Sequence, residues 1–290
     1  MNIQTFGGDW TENKLVKLRK YLVAYATIMK DYNFKYAYID AFAGTGYRTG
    51  KESEETDILI FPELINQESN KLFDGSARIA LQVEPKFDQY IFIEKDENKV
   101  YELNKLKTEF TNMADRVTII NSDANIYIKD ICSKNWKSHR SVLFLDPFGM
   151  QVPWATIECI AKTEAIDLWY LFPVGVAINR LLKKDGNIDE VIRKRLDETF
   201  GTTDWYDRFY QITNQIDLFG TYSITEKTAD YKLICEYFIE RLETVFAGVA
   251  KNPLLLCNSR NTPLYLLCFA AANKKGAKTA IKIAQDILKK

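Results

Sequence analysis

The sequence has one histidine, no net charge and no long apolar run, and each lack excludes a class of function. Its 39 Lys and Arg balance 39 Asp and Glu. That balance argues against a protein that coats nucleic acid by bulk electrostatics, although a local basic patch remains compatible with it. No stretch approaches the roughly 18 apolar residues needed to cross a bilayer. The opening MNIQTFGGDW has neither the basic end nor the apolar segment of a secretion signal. The expectation is a cytoplasmic chain with no membrane contact. Cys132, Cys159, Cys235, Cys257 and Cys268 form no CxxC and no Cys/His spacing. They read as buried free thiols, and no metal site is expected. No Ser/His/Asp triad can be assembled around His139, which precedes a strand-like run at the edge away from the strand carboxyl ends.

What is present is alternation. TENKLVKLRKYLVAYATIMKDY places Leu15, Leu18, Leu22, Tyr25, Ile28 and Met29 at helical spacing, with Thr11 as its N-cap. Five apolar runs follow, FKYAYIDAF, QYIFIEKD, RVTIINSDA, SVLFLDPFGM and AIDLWYLFPVG, separated by helical segments. Such a pattern implies a parallel sheet with helices on both faces. From 177 to 250 the chain turns amphipathic, charged and aromatic, and reads as a helical insertion. NPLLLCNSRNTPLYLLCFAAAN gives two apolar runs across a polar turn, an antiparallel hairpin, and GAKTAIKIAQDIL closes with a helix. The expected division is an N-terminal helix over 1–35 and a Rossmann-like cofactor-binding core over 36–176. The insertion over 177–250 follows, and the hairpin and helix over 251–290 complete the core. The fold class is therefore α/β, with five parallel strands and then a hairpin where a dinucleotide fold would continue parallel.

Ligands of open α/β sheets bind at the carboxyl ends of the strands, and four of those ends carry chemistry. Asp40, Gly44 and Gly46 form a turn in DAFAGTG whose glycines let a ligand approach the backbone. The dinucleotide fingerprint and the P-loop pattern both fail there, so an NAD-dependent enzyme is disfavoured. Glu94 could accept both hydroxyls of a ribose, and Asp123 an adenine amino group. Each acid alone is more often a solvated helix cap, and it is their occurrence in order along the strands that points to a ligand. Asp146, Pro147 and Phe148 end the fourth strand: the carboxylate and the Pro147 carbonyl could accept from an exocyclic amine, and the ring could stack on its base. A turn that merely stops the strand is the plainer alternative. NRLLKK and RKR could contact phosphates or equally be solvated helix faces, and Tyr206, Phe209 and Tyr210 read as core more simply than as a base-stacking platform.

The series DAFAGTG, FIEKD, NSDA and LDPFG resembles the motifs of S-adenosylmethionine-dependent class I methyltransferases, whose sheet ends in an antiparallel seventh strand. LDPFG departs from the DPPY of adenine N6-methyltransferases and is closer to the DPFG of tRNA guanosine N2-dimethyltransferases, which leaves the target base open. WTENKLVKLRKYLVAY, YIDAFAGTGYR, LFLDPFGMQVPWATIECIAKTEAIDLWYLFPVG, FGTTDW and NTPLYLLCFAAANKKGAKTAIKIAQ resemble the three-Cys-motif partner (TcmP) family of bacterial proteins. That resemblance implies a partner carrying three cysteines, encoded beside the chain. Two functions follow as expectations. One is methyl transfer from S-adenosylmethionine to an amino group of DNA or RNA. Its catalytic set would be Asp146, Pro147 and Phe148, and its cofactor set Asp40, Gly44, Gly46, Glu94 and Asp123. The other is a catalytically silent chain that keeps the fold and binds the three-cysteine protein. The segment from 47 to 75 is expected to fold over the cofactor as a lid or to decorate an edge.

Overall fold

The computed structural model describes residues 9–45, 47–48, 73–217 and 220–289. Helix α1 (Asp9–Met29) leads into strand β1 (Lys35–Asp40). The α1 helix begins before Thr11, which stands in the first turn and is buried, so packing fixes its place where capping was expected. Of the expected lid, only the short strands β2 (Tyr47–Arg48) and β3 (Phe73–Asp74), paired antiparallel, and Gly75 are described. The rest of that segment lies outside the described residues.

Helix and strand then alternate as the apolar runs require. The order is α2 (Ser76–Gln82), β4 (Gln89–Glu94), α3 (Glu97–Glu109), β5 (Val117–Asn121) and α4 (Ala124–Cys132). Next come β6 (His139–Leu145), α5 (Trp154–Lys162) and β7 (Ile166–Phe172). Every residue of β7, IDLWYLF, is buried, as a strand covered on both faces requires. A π-turn (Val174–Ile178) leaves β7, followed by α6 (Asn179–Leu181), α7 (Glu190–Phe200) and α8 (Trp205–Phe209). The amphipathic reading of this stretch gives a mainly helical insertion and does not anticipate the hairpin that it also holds. Strand β8 (Tyr210–Asp217) pairs with β9 (Gly220–Lys227) in a two-stranded sheet of their own. QITNQID and GTYSITEK are too polar for an apolar alternation to announce them. Helix α9 (Tyr231–Glu243), strands β10 (Gly248–Val249), β11 (Leu254–Cys257) and β12 (Pro263–Ala271), and helix α10 (Ala277–Leu288) complete the chain.

The main sheet runs β5-β4-β1-β6-β7 with every pair parallel. Strand β12 then lies antiparallel to β7, and β10 and β11 share its far edge. This is the Rossmann-like sheet of class I methyltransferases expected from the sequence. Helices α1, α2, α3 and α10 cover one face, where Tyr21, Trp169 and Phe269 meet. Helices α4, α5 and α7 to α9 cover the other, where Phe238 stacks on Phe172 at 3.7 Å between centroids.

One buried acid makes the fold sensitive to pH. Asp167, on β7 under α1, accepts from the Tyr21 hydroxyl at 2.9 Å. Burial nevertheless pushes its carboxyl up to about 7, against the pull of Tyr21, the Ala272 amide and Arg140. The folded chain therefore holds this proton more tightly than the unfolded one, whose carboxyl titrates near 3.8. Its contribution is fully present below about pH 4 and is lost as pH rises through about 7. At 1.36 kcal/mol per unit, the full change approaches about 4 kcal/mol. In Asp167→Asn, where the Tyr21 hydroxyl can turn to accept from the amide, this term disappears. Urea titrations should show the variant gaining on the parent by about 3–4 kcal/mol between pH 4 and pH 8. A constant difference across that range would show that Asp167 is ionised at both ends.

Candidate active site

Strand order reverses between β1 and β6, because the chain runs outward through β4 and β5 before returning to the other side of β1. Such a switch point opens a crevice at the carboxyl edge, and a cleft of about 520 Å³ occupies it. Ala41, Ile93 and Ala124 give it an apolar floor, while Gly44 and Thr45 border it from the turn after β1. Glu94 and Lys95 close the end of β4, and Ser122, Asp123 and Asn125 the end of β5. Phe148, Met150 and Gln151 follow β6, and Arg195, Glu198 and Thr199 of α7 form the remaining wall.

The turn after β1 owes its shape to Gly44, at φ +61°, where a Cβ would meet nothing within 4 Å. The side chain it lacks is therefore a matter of backbone conformation and leaves the space beside it open. Gly46 lies outside the described residues. Glu94 is 9% exposed and holds this turn in place. Its Oε2 accepts from the Gly44 N–H at 2.9 Å, and its Oε1 from the N–H groups of Lys95 and Asp96 at 2.8 and 2.9 Å. Three of the roughly four acceptor positions of the carboxylate are thus in use. A ligand diol would take the fourth and compete with Gly44 for another.

Asp123 caps α4: its Oδ1 accepts from the N–H groups of Asn125 and Ile126 at 2.9 and 3.2 Å, which leaves Oδ2 for a ligand. Asp96 caps α3 in the same way, as its position after a strand allows. Asp40 stands behind the cleft wall, fully buried. Its oxygens turn inward, accepting from the Tyr38 hydroxyl at 3.2 Å and, at a long 3.4 Å, from the Phe42 N–H. Burial pushes its carboxyl up to about 6, while Ser76 and Tyr38 pull it down and Asp146 nearby adds to the rise. Asp40 therefore shapes the turn from within.

The residues after β6 divide. Phe148 is at the cleft, half exposed, and its N–H donates to Gln151 Oε1 at 3.0 Å. Asp146 and Pro147 are not among the lining residues. Asp146 faces α1 instead, where Lys14 Nζ donates to its Oδ2 at 2.5 Å. The sequence reading does not join Lys14 to Asp146, since the two residues are 132 positions apart. It missed α7 as a wall, although RKR carried the signal of a cation near the site. It also missed the pinning of α4 to the loop before α5: Asn125 Nδ2 donates to the Gln151 carbonyl and Thr156 Oγ1 to Asn125 Oδ1. His139 begins β6 at the opposite edge and is exposed. All five cysteines are free thiols.

Among the described residues no group of His, Cys, Asp and Glu could hold a metal ion, and no helix is long and apolar enough to cross a membrane. No family model matches the chain, and no curated protein matches it in sequence. Its similarities are to solved structures. A Legionella pneumophila protein of the DUF519 family superposes with a TM-score of 0.44 at 14% identity, over 82% of this chain and 94% of that one. Spermidine synthase from Thermotoga maritima gives 0.40 at 12%, over 91% and 60% of the two chains. The O-methyltransferase TomG from Streptomyces achromogenes, solved in complex with SAM, gives 0.36 at 12%, over 75% and 80%. These are distant likenesses of fold and carry no residue of the site across.

Proposed function

We propose that the chain is an S-adenosylmethionine-dependent methyltransferase acting on an exocyclic amino group of a nucleic-acid base. The observation that carries this is the cleft at the switch point, where Glu94 and Asp123 face one apolar floor beside the open Gly44 turn. That donor set fits an adenosyl ligand. Glu94 would take ribose hydroxyls, Asp123 Oδ2 the adenine amino group, and the backbone around Gly44 the methionine end. Bound there, S-adenosylmethionine would supply an electrophilic methyl group. The chain's own part is positioning. The half-exposed Phe148 would stack on the acceptor base, an interaction worth about 1–3 kcal/mol. Asp146 and the Pro147 carbonyl would accept from its amine, and the Asp146 charge would stabilise the nitrogen as it turns positive.

A second reading rests on the resemblance to the TcmP family: a silent chain whose task is to bind a protein with three cysteines. The engagement of both carboxylates within the chain favours it, because Lys14 already holds Asp146 Oδ2 and three amides hold Glu94. Methyl-labelled donor incubated with the protein and either total RNA or denatured DNA separates the two. The enzyme reading expects label on the exocyclic nitrogen of one base. Donor binding without label in either nucleic acid would sink it and leave the silent reading.

A further inference from the structure

The hairpin β8–β9 stands apart from the sheet that forms the site. Its base is anchored. Tyr210 stacks on Tyr206 at 4.6 Å and its hydroxyl donates to the Lys183 carbonyl, while Lys227 Nζ donates to Asn179 Oδ1. Beyond that base, Gln211 to Gln215 are all exposed, so both faces of β8 are in water there. A two-stranded ribbon of this kind is marginal by itself, and further strands are what steady one. We propose that the outer edge of β8 docks a second copy of this chain, which adds its own β8 antiparallel to complete a four-stranded ribbon. This goes beyond both readings of the cleft and depends on neither.

Two backbone bonds fix which groups the edge offers. Lys227 N–H donates to the Lys184 carbonyl at 2.8 Å and so points away from β8, whereas Thr228 N–H crosses to the Phe209 carbonyl at 2.9 Å. Directly opposite residues of an antiparallel ladder either bond to one another or both point outward, in alternation. Tyr210, Ile212 and Asn214 lie opposite Lys227, Thr225 and Ser223. Their N–H and C=O groups therefore point outward, and among the described residues no hydrogen bond reaches those of Ile212 or Asn214. Open edges are normally kept short, bulged or charged. The edges of the main sheet comply: β10 has two residues, β11 shifts register at Leu256/Cys257, and β5 has one exposed residue, Asn121. Strand β8 runs eight residues in unbroken register without Lys, Arg or Pro, and its one acid, Asp217, stands at the end.

The occupant follows from the edge, because β8 complements its own copy. With a two-fold axis at Thr213, Ile212 and Asn214 of the partner subunit exchange both of their outward main-chain bonds. Gln211 then lies opposite Gln215 of the partner subunit, and Thr213 opposite Thr213 of the partner subunit, one of the favourable cross-strand pairs. No charge opposes a like charge anywhere over Gln211 to Gln215. The contact is small, so the dimer is reversible and forms at high protein concentration.

The test is sedimentation equilibrium of the full chain from about 1 μM to about 1 mM, the span of weak association, with amide exchange followed by NMR at both ends. The edge predicts a monomer–dimer equilibrium in that range and exchange at Ile212 and Asn214 that slows as the dimer forms. Thr213→Lys and Thr213→Glu each set like charges opposite one another at the axis, and each should weaken the dimer about fivefold. Mixed one to one, the two variants set Lys against Glu and should restore it. The wild-type series needs neither variant. A monomer throughout, a dimer in which exchange at Ile212 and Asn214 is unchanged, charged variants that dimerise as tightly as the parent, or a mixture that fails to restore the dimer would each overturn the proposal.

Discussion

Gly175→Ala is expected to lower stability by about 3 kcal/mol or more, the upper range for overpacking a core. A Cβ at Gly175 would stand 1.8 Å from the Pro263 carbonyl oxygen, 2.7 Å from its carbon and 3.1 Å from Leu264 Cα. All three are backbone atoms, so no rotamer change relieves the contact. The π-turn that leaves β7 and the start of β12 can pass this closely only where a side chain is lacking. In a chain of 290 residues the loss corresponds to a fall in unfolding midpoint of roughly 5 °C. Gly276→Ala is the control: its Cβ would meet only Asn273 Oδ1, at 3.7 Å, and the midpoint should stay in place. A Gly175→Ala protein as stable as the parent would mean that β7 and β12 separate beyond the sheet more than the structure shows.

Asp146→Ala should reduce methyl transfer at least ~100-fold, the scale seen when one oriented polar group is removed from a reacting centre. Binding of the methyl donor should change by no more than a few fold, because Asp146 lies outside the cleft lining. The alanine variant also removes the Lys14–Asp146 ion pair, so a stability change accompanies any change in rate. Asp146→Asn keeps the shape and one acceptor oxygen, and should be equally slow while better folded. The two variants together separate loss of chemistry from loss of structure. Transfer at the parental rate in either folded variant would remove Asp146 from the acceptor site.

The sheet was legible because its central strands β6 and β7 are buried on both faces and therefore spelled as unbroken apolar runs, as in LWYLF of β7. The hairpin β8–β9 was not, because Gln211 to Gln215 and Tyr222 to Ser223 are exposed, with Ile212 and Tyr222 scattered among polar residues. The four acid-bearing strand ends do converge on one edge, which motif order alone could anticipate. Their occupation could not be read. Whether Glu94 faces a ligand or three amides, and whether Asp40 faces the cleft or Tyr38, depends on sub-ångström placement of side chains that spacing does not encode. The places of Lys14 and Arg195 at the site rest on a different kind of information. Each comes from an element distant in sequence, and only the packing of α1 and α7 across the sheet edge brings them to the site.

The central claim is that the cleft beside Gly44 and Glu94 holds an adenosyl ligand. A calorimetric titration with S-adenosylhomocysteine, with NAD as control, tests it most directly. The account predicts micromolar binding, about −8 kcal/mol, for the adenosyl ligand alone, weakened at least ~10-fold in Glu94→Gln. Binding of NAD with equal affinity, or of neither ligand, would contradict it.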